Sequence, residues 1–216
     1  MTRQDYRTYA WVTALVSLIG VLTIVVNAVN GRFHPGDFQV YYTAAQRFAT
    51  DEPVYLVSFY SGSGLYKYSP ATLFFFLPYT LLPYEMGALL HSLLLTAAYA
   101  ACFILLYGIV RDYLAPAPVR KPAWLLVLSF VCILVPMNRE LYLGNINMVL
   151  LLFCLLSIRA FTTGHTWQGG WWLALSILAK PYLAILLLPL ILRGRWKETG
   201  ITGLGIVTGL LLPFLR

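Results

Sequence analysis

His34 to Pro70, HPGDFQVYYTAAQRFATDEPVYLVSFYSGSGLYKYSP, is the one long segment of the chain that is not built like a membrane span. It carries Asp37, Arg47, Asp51, Glu52 and Lys67 among closely spaced tyrosines, with strongly apolar sequence on both sides. Behind Asp37, apolar or aromatic residues recur at Phe38, Tyr41, Tyr42, Ala45, Phe48 and Ala49, with Gln39, Thr43, Gln46 and Arg47 opposite. That is the i, i+3, i+4, i+7 spacing of one helix face. The spacing predicts a short amphipathic helix lying in the membrane interface, aromatic face toward lipid. Asp37 then takes the N-cap position at the rim of the bilayer.

The sequence around this stretch decides the class. With 60% hydrophobic and only 11% charged residues, the chain lies outside the range of a soluble domain of 216 residues. Its long apolar runs read as transmembrane helices, since about 20 apolar residues are needed to cross about 30 Å of hydrocarbon. The net charge of +7 is therefore assigned to Lys and Arg in cytoplasmic loops and not to nucleic-acid binding. Cys102, Cys132 and Cys154 all lie in apolar runs, which argues against a disulfide framework or a zinc site. The three histidines are scattered, with no metal-ligand spacing. Nothing resembles a phosphate-binding loop, a dinucleotide fingerprint or a serine-hydrolase elbow, and no cofactor is expected.

Arg3 and Arg7 hold the start of the first span, Thr8 to Val29, in the cytoplasm, so the 30–70 loop is expected outside. That span is too long for a signal peptide and is read as retained. Ala71 to Leu82, divided from the next apolar run by Pro78 and Pro83, is short for a crossing; Glu85 to Val110 is long enough. Counting one crossing here keeps Arg111, Arg120 and Lys121 inside, in a cytoplasmic connection RDYLAPAPVRK (111–121). Pro122 to Met137 then runs outward to a polar loop, Asn138 to Asn147, and Met148 to Phe161 returns inward to the turn TTGHTWQGG. Trp171 to Leu192 is interrupted by Lys180-Pro181. One straight helix would bury a lysine and deliver RGRWK (193–197) outside; a hairpin with Lys180-Pro181 at its tip avoids both. A broken helix is tolerated in a membrane only where its backbone lines a protein-enclosed or wet cavity, so the break marks a site. Ile201 to Leu215 ends without a polar tail, which reads as a natural short form or the front of a longer chain. The expected fold is an all-α polytopic transmembrane bundle, a single domain over 1–216.

Several polar islands now stand in a recognisable order: Asp37-Phe38-Gln39-Val40-Tyr41-Tyr42-Thr43-Ala44-Ala45, then Pro53-Val54-Tyr55, then Tyr68-Ser69-Pro70 before a Phe/Leu/Pro run. Gly144-Asn145-Ile146-Asn147, Lys180-Pro181 and the basic RGRW turn come after them. From about residue 10 to the end, this order resembles the front part of the polyprenyl-phosphate-mannose-dependent α-mannosyltransferases of glycosyltransferase family 87, in the multi-span GT-C class. The chain departs from the family at Tyr68-Ser69-Pro70, where Tyr-Pro-Pro is usual, and at Gly144-Asn145, where Gly-Gln is usual. Family members are longer, with further spans and another functional outer loop. The resemblance implies transfer of a hexose, mannose, from a polyprenyl-phosphate sugar to a glycan or glycolipid acceptor. It places the active face on the outside of the plasma membrane and matches Asp37 to the catalytic aspartate.

The chemistry assigns roles to the same residues. Transfer from a lipid-phosphate sugar needs a base for the acceptor hydroxyl and cations or helix N-termini for the departing phosphate. Asp37 is the candidate base; as a plain helix cap it would contribute about 1 kcal/mol. Lys180 is the candidate phosphate partner, against the alternative of a snorkelling side chain. Lys67 and Arg139 are further phosphate candidates, or merely solvated cations. Asn145 is a candidate sugar or phosphate ligand, and Asn147 the expected cap of the helix near Met148. Tyr41 and Tyr68, with Tyr42 and Tyr66, offer a sugar platform or an interfacial aromatic belt. His34 is read as incidental. Two other classes stay open: a truncated, non-catalytic relative that binds lipid-linked sugar or a partner subunit, and a small transporter with its site at Lys180. Against transport, the polar residues gather at one face and no inverted repeat is evident.

Overall fold

The first span forms where the hydropathy places it. In the computed structural model, which describes residues 3–59, 64–114 and 122–215, α1 runs Arg3–Val29. Two stretches among the described residues are long and apolar enough to cross a membrane alone, Tyr9–Val29 and Tyr84–Tyr113. A sharply bent pair, Val131–Leu143 and Asn147–Thr162, makes a third if it counts as one broken span. Helices carry the described residues, apart from loops and one isolated bridge, Ser58 to Leu65. The fold is an all-α membrane bundle. The expected cytoplasmic connection falls largely outside the described residues, Arg120 and Lys121 with it.

The chain divides into two compact units: Met1–Phe38 with Ala88–Val149, and Gln39–Gly87 with Leu150–Arg216. The first unit is built on α1, α4 (Tyr84–Ile109, continued by a π-helical turn Val110–Leu114) and α5 (Pro122–Leu143). Along α1, Trp11, Leu15, Leu18, Leu22, Val25, Val26 and Val29 are exposed in a stripe, an apolar surface suited to lipid and not to water. Its other side carries Val16, fully buried, and Gly20, whose bare Cα faces Thr96 of α4. Tyr9 meets Tyr107 edge-on at 5.8 Å, so α1 and α4 run antiparallel. The Thr23 hydroxyl donates to Asn138 Oδ1 of α5 at 3.1 Å, and Thr23, Ile24 and Asn27 share a small cleft with Leu141 and Tyr142, which makes α1 and α5 parallel. The three helices therefore run up, down and up. Pro70–Leu81 is apolar but shorter than a span, as its length in the sequence led one to expect. It forms a 3-10 turn Pro70–Thr72, the short α3 (Leu73–Phe76) and a second 3-10 turn Leu77–Leu81.

The expected polar loop 138–147 is mostly helix. Helix α5 carries Pro136 inside it and continues through Asn138, Arg139 and Glu140 to Leu143; only Gly144–Ile146 breaks the run before α6 (Asn147–Thr162). The cause is conformational. Gly144 adopts φ +70°, and its N–H and that of Asn145 both bond to the Glu140 carbonyl at 2.9 and 3.2 Å, a left-handed helix termination. Polarity alone does not end a helix whose residues tolerate helical dihedrals.

In the second unit α6 and α7 (Thr166–Ala179) form an antiparallel hairpin. Ser157 donates to the Gly169 carbonyl at 2.8 Å, and Phe153 stacks on Trp172 with centroids 5.2 Å apart. At Lys180 the backbone is extended (φ −131°, ψ 97°), and Pro181 opens a 3-10 turn, Pro181–Leu187, that leads into α8 (Leu188–Leu192). Leu183, Leu187 and Leu190 pack back onto Phe161, Leu173 and Ile177, so the hairpin expected at Lys180-Pro181 is present. Helix α9 (Trp196–Leu211) then lies parallel to α7, with Gly170 against Ile201, Ala174 against Gly205 and Leu178 against Gly209. Lipid provides no hydrophobic drive for helix pairing, so close approach at small residues supplies the contact.

Helix α2 (Gly36–Ala49) corrects two expectations. Its aromatic face is buried in protein and does not lie on lipid. In the first unit Phe38 stacks on His91 at 4.7 Å. In the second, Tyr41 stacks on Phe76 at 4.6 Å, Phe48 meets Phe74 edge-on, and the Tyr42 hydroxyl donates to the Leu82 carbonyl at 2.7 Å. Rings and a carbonyl acceptor satisfy these side chains in ways hydrocarbon does not. The helix also begins at Gly36, which puts Asp37 inside its first turn and not at the N-cap.

Replacing Gly205 by Leu is expected to force α9 off Ala174 and Trp171 and to cost about 1–3 kcal/mol, the usual range for overpacking. Gly203→Leu on the same helix is the matched control, because nothing lies within 4 Å of its Cβ position. Thermal unfolding in detergent should separate the two variants by several degrees.

Candidate functional site

The first unit builds a polar cluster around the break between α5 and α6. Asp37, half-buried, receives the Asn145 side-chain amide on Oδ2 at 2.8 Å. The Asn145 carbonyl Oδ1 accepts the Asn147 N–H at 3.3 Å, so Asn145, where Asn147 was expected, caps the start of α6. The Asn147 side chain points the other way and donates to Glu140 Oε1 at 2.9 Å. His91 Nε2 lies 2.9 Å from the Gly144 carbonyl oxygen, and the ring of His91 carries Phe38 on its face. Gly144 is also the point of closest approach to α2: a Cβ there would stand 2.8 Å from Pro35 Cβ and 2.9 Å from Phe38 Cβ. Glycine thus serves two needs at once, a positive φ and space for the helix that carries Asp37.

The second unit builds an aromatic cluster around the break at Lys180. The Tyr41 and Tyr68 hydroxyls are 2.9 Å apart, and Tyr55 donates to the Tyr68 carbonyl at 2.9 Å. Tyr66 is buried with its hydroxyl donating to the Ser69 carbonyl at 3.2 Å; burial, with Tyr55 alongside, pushes its phenol well up and keeps it a neutral donor. Lys180 Nζ stands 5.8 Å from the centre of the Tyr68 ring and 6.0 Å from that of Tyr182, within cation–π range of both. Fourteen residues of α7 rise only about 21 Å, less than the hydrocarbon thickness of about 30 Å.

Of the residues singled out from sequence, Asp37 and Asn145 meet in the first unit, and Tyr41, Tyr68 and Lys180 meet in the second. Lys67 and Arg139 are exposed, and among the described residues no hydrogen bond, ion pair or ring contact ties either to these clusters. Arg139 is exposed on α5 and not in a loop, because the helix runs past it. His34 is exposed as well. Sequence reasoning missed Glu140, His91 and Tyr182. Only Glu140 had a signal, as a lone carboxylate beside an apolar run; a histidine inside an 84–113 span gave none, since its partner is a backbone carbonyl 53 residues away. Among the described residues no group of three or more His, Cys, Asp or Glu side chains is placed to hold a metal.

The family profile for glycosyltransferase family 87 matches residues 66–216, more than half of the chain. This chain belongs to glycosyltransferase family 87. The match takes in Tyr68, Asn145 and Lys180, while Asp37 precedes it. A curated relative, the alpha-(1->3)-arabinofuranosyltransferase of Corynebacterium glutamicum, is 28% identical over 211 residues, which is 95% of this chain and 46% of the relative. The family-87 chain therefore spans about half the length of the curated relative it matches. No solved structure matches it.

In this family-87 chain Gly144→Ala is expected to be the costliest of the conservative glycine changes. It adds about 1–2 kcal/mol of left-handed backbone strain to a collision with Pro35 and Phe38. Gly31→Ala, at φ +65° with nothing within 4 Å, carries the strain alone. The check is the difference in detergent Tm between the two variants, with Gly144→Ala the lower.

Proposed function

We propose that the protein transfers a glycosyl group from a polyprenyl-phosphate sugar to a glycan or glycolipid acceptor at the outer face of the plasma membrane, with Asp37 as general base. The observation that carries this reading is the Asp37 carboxylate: half-buried, in the first turn of α2, with one oxygen held by the Asn145 amide. Asp37 Oδ1 takes the acceptor hydroxyl proton. The hydroxyl oxygen bonds to the anomeric carbon as the bond from that carbon to the phosphate oxygen breaks, and polyprenyl phosphate departs with the electron pair. A helix N-terminus near the reacting groups favours negative charge, and α2 presents its first turn there.

Lys180 is assigned to the donor phosphate. Its ammonium is held between Tyr68 and Tyr182 at a helix break, where a charge counts for more than in water. The tyrosines beside it suit a sugar ring. Mannose is the sugar that the order of motifs implies, and arabinofuranose is the sugar named for the relative, so both polyprenyl-phosphate donors belong in the assay. The outer face is inferred from the basic ends: Arg7 at the start of α1, and Arg193, Arg195 and Lys197 after α8, on the cytoplasmic side.

The test is Asp37→Asn in the full gene product. Asparagine keeps the size of the side chain and an oxygen for the Asn145 amide, so expression and thermal stability should hold. It takes no proton at neutral pH, so turnover should fall by about 10²–10⁴-fold. Near-wild-type turnover would remove Asp37 from the mechanism. Lys180→Met should raise the donor KM or lower kcat while the protein stays folded; unchanged donor kinetics would make Lys180 a membrane anchor only.

A further inference from the structure

Asn145 stands among the candidate substrate ligands by its sequence position, yet both ends of its side chain are engaged by the protein. Nδ2 donates to Asp37 Oδ2 at 2.8 Å and Oδ1 accepts the Asn147 N–H at 3.3 Å. We infer that Asn145 is a positioning residue for Asp37, and that the turn Gly144–Asn147, anchored by Glu140, is the brace that holds it. This inference rests on the reading of Asp37 as the base.

Glu140 fastens the turn by backbone and side chain together. Its carbonyl accepts the N–H groups of Gly144 and Asn145, and its carboxylate accepts the side-chain amide of Asn147. A third hold comes from α4, where His91 bonds the Gly144 carbonyl oxygen while stacking on Phe38, the residue after Asp37. The turn therefore touches α2 at two neighbouring residues, through the Asn145 amide at Asp37 and through His91 at Phe38. An aspartate in the first turn of a short helix otherwise has free side-chain torsions; an amide bonded on both sides removes that freedom. With Oδ2 held by the Asn145 amide, the carboxylate turns less freely. A base held in place gains in turnover, since displacement of a reacting group by about 1 Å can cost about 10²-fold. A sugar ligand would instead keep its donor and acceptor for the sugar.

The experiment uses the full gene product in detergent with polyprenyl-phosphate mannose, and polyprenyl-phosphate arabinofuranose in parallel. It compares wild type, Asp37→Asn, Asn145→Ser and the double variant. Serine retains an oxygen for the Asn147 N–H but is too short to reach Asp37. Asn145→Ser is expected to lower kcat by about 10- to 100-fold with the donor KM within about twofold of wild type. In the Asp37→Asn background the same change should have no further effect on the residual turnover. If Asn145→Ser does not fold, Asn145→Thr, which also keeps an oxygen for the Asn147 N–H and is also too short to reach Asp37, carries the same expectation. A raised donor KM at unchanged kcat makes Asn145 a substrate ligand and overturns the inference. So does a double variant whose losses multiply, and either result leaves Asp37 in place if Asp37→Asn alone is inactive. Near-wild-type turnover in Asp37→Asn overturns the base itself and the brace with it.

Discussion

A peptide group in hydrocarbon has no water to bond, so a membrane chain must satisfy its backbone internally, and among the described residues this one does so mainly with helices. Breaks occur where protein supplies the missing partners. At Gly144–Ile146 the freed groups go to the Glu140 carbonyl and to His91. At Lys180 the N–H still reaches the Ser176 carbonyl, and the Lys180 carbonyl accepts the Leu183 N–H. The two breaks are also where Asn145 and Lys180, the polar residues with most chemistry to offer, are found. A helix interruption in a membrane is expensive, and here both are attached to a candidate site.

The second constraint is how helices adhere without a hydrophobic drive. Both units use missing side chains for it. Gly20 lets α1 settle on Thr96, and Gly170, Gly205 and Gly209 let α7 and α9 run side by side in parallel. The parallel course of α7 and α9 in turn requires the segment between them to double back, and Pro181 makes the reversal possible by starting a 3-10 turn without a backbone donor. Small residues and one proline thus set the path that leaves Lys180 at a tip.

The two clusters, each within its own unit, differ in charge. In the first unit, carboxylates of Asp37 and Glu140 are each served by an asparagine amide, an arrangement that holds an anion without neutralising it. In the second, the Lys180 ammonium lies within cation–π range of two tyrosine rings, which favour its charged form.

Hydropathy and proline chemistry were legible in the chain itself. The all-α class, the spans beginning near Tyr9 and Tyr84, the short piece after Pro70 and the reversal at Lys180-Pro181 all arise from local properties. Each residue contributes them wherever it sits. Helix α2 was legible too, since its apolar residues share a period. What covers that face was not, because periodicity tells which residues lie together and says nothing of what they meet; protein rings fill the place assigned to lipid. The end of α5 was also misplaced, since polar residues at 138–140 do not break a helix and the φ of Gly144 does. Above all, the amide that reaches Asp37 comes from 108 residues away, and only the packing of α2 against the Gly144 turn brings the two within a hydrogen bond. The sequence determined which segments are helical and which residues are chemically able; tertiary structure decided which of them meet, because contact depends on the register between helices, and no local pattern encodes it.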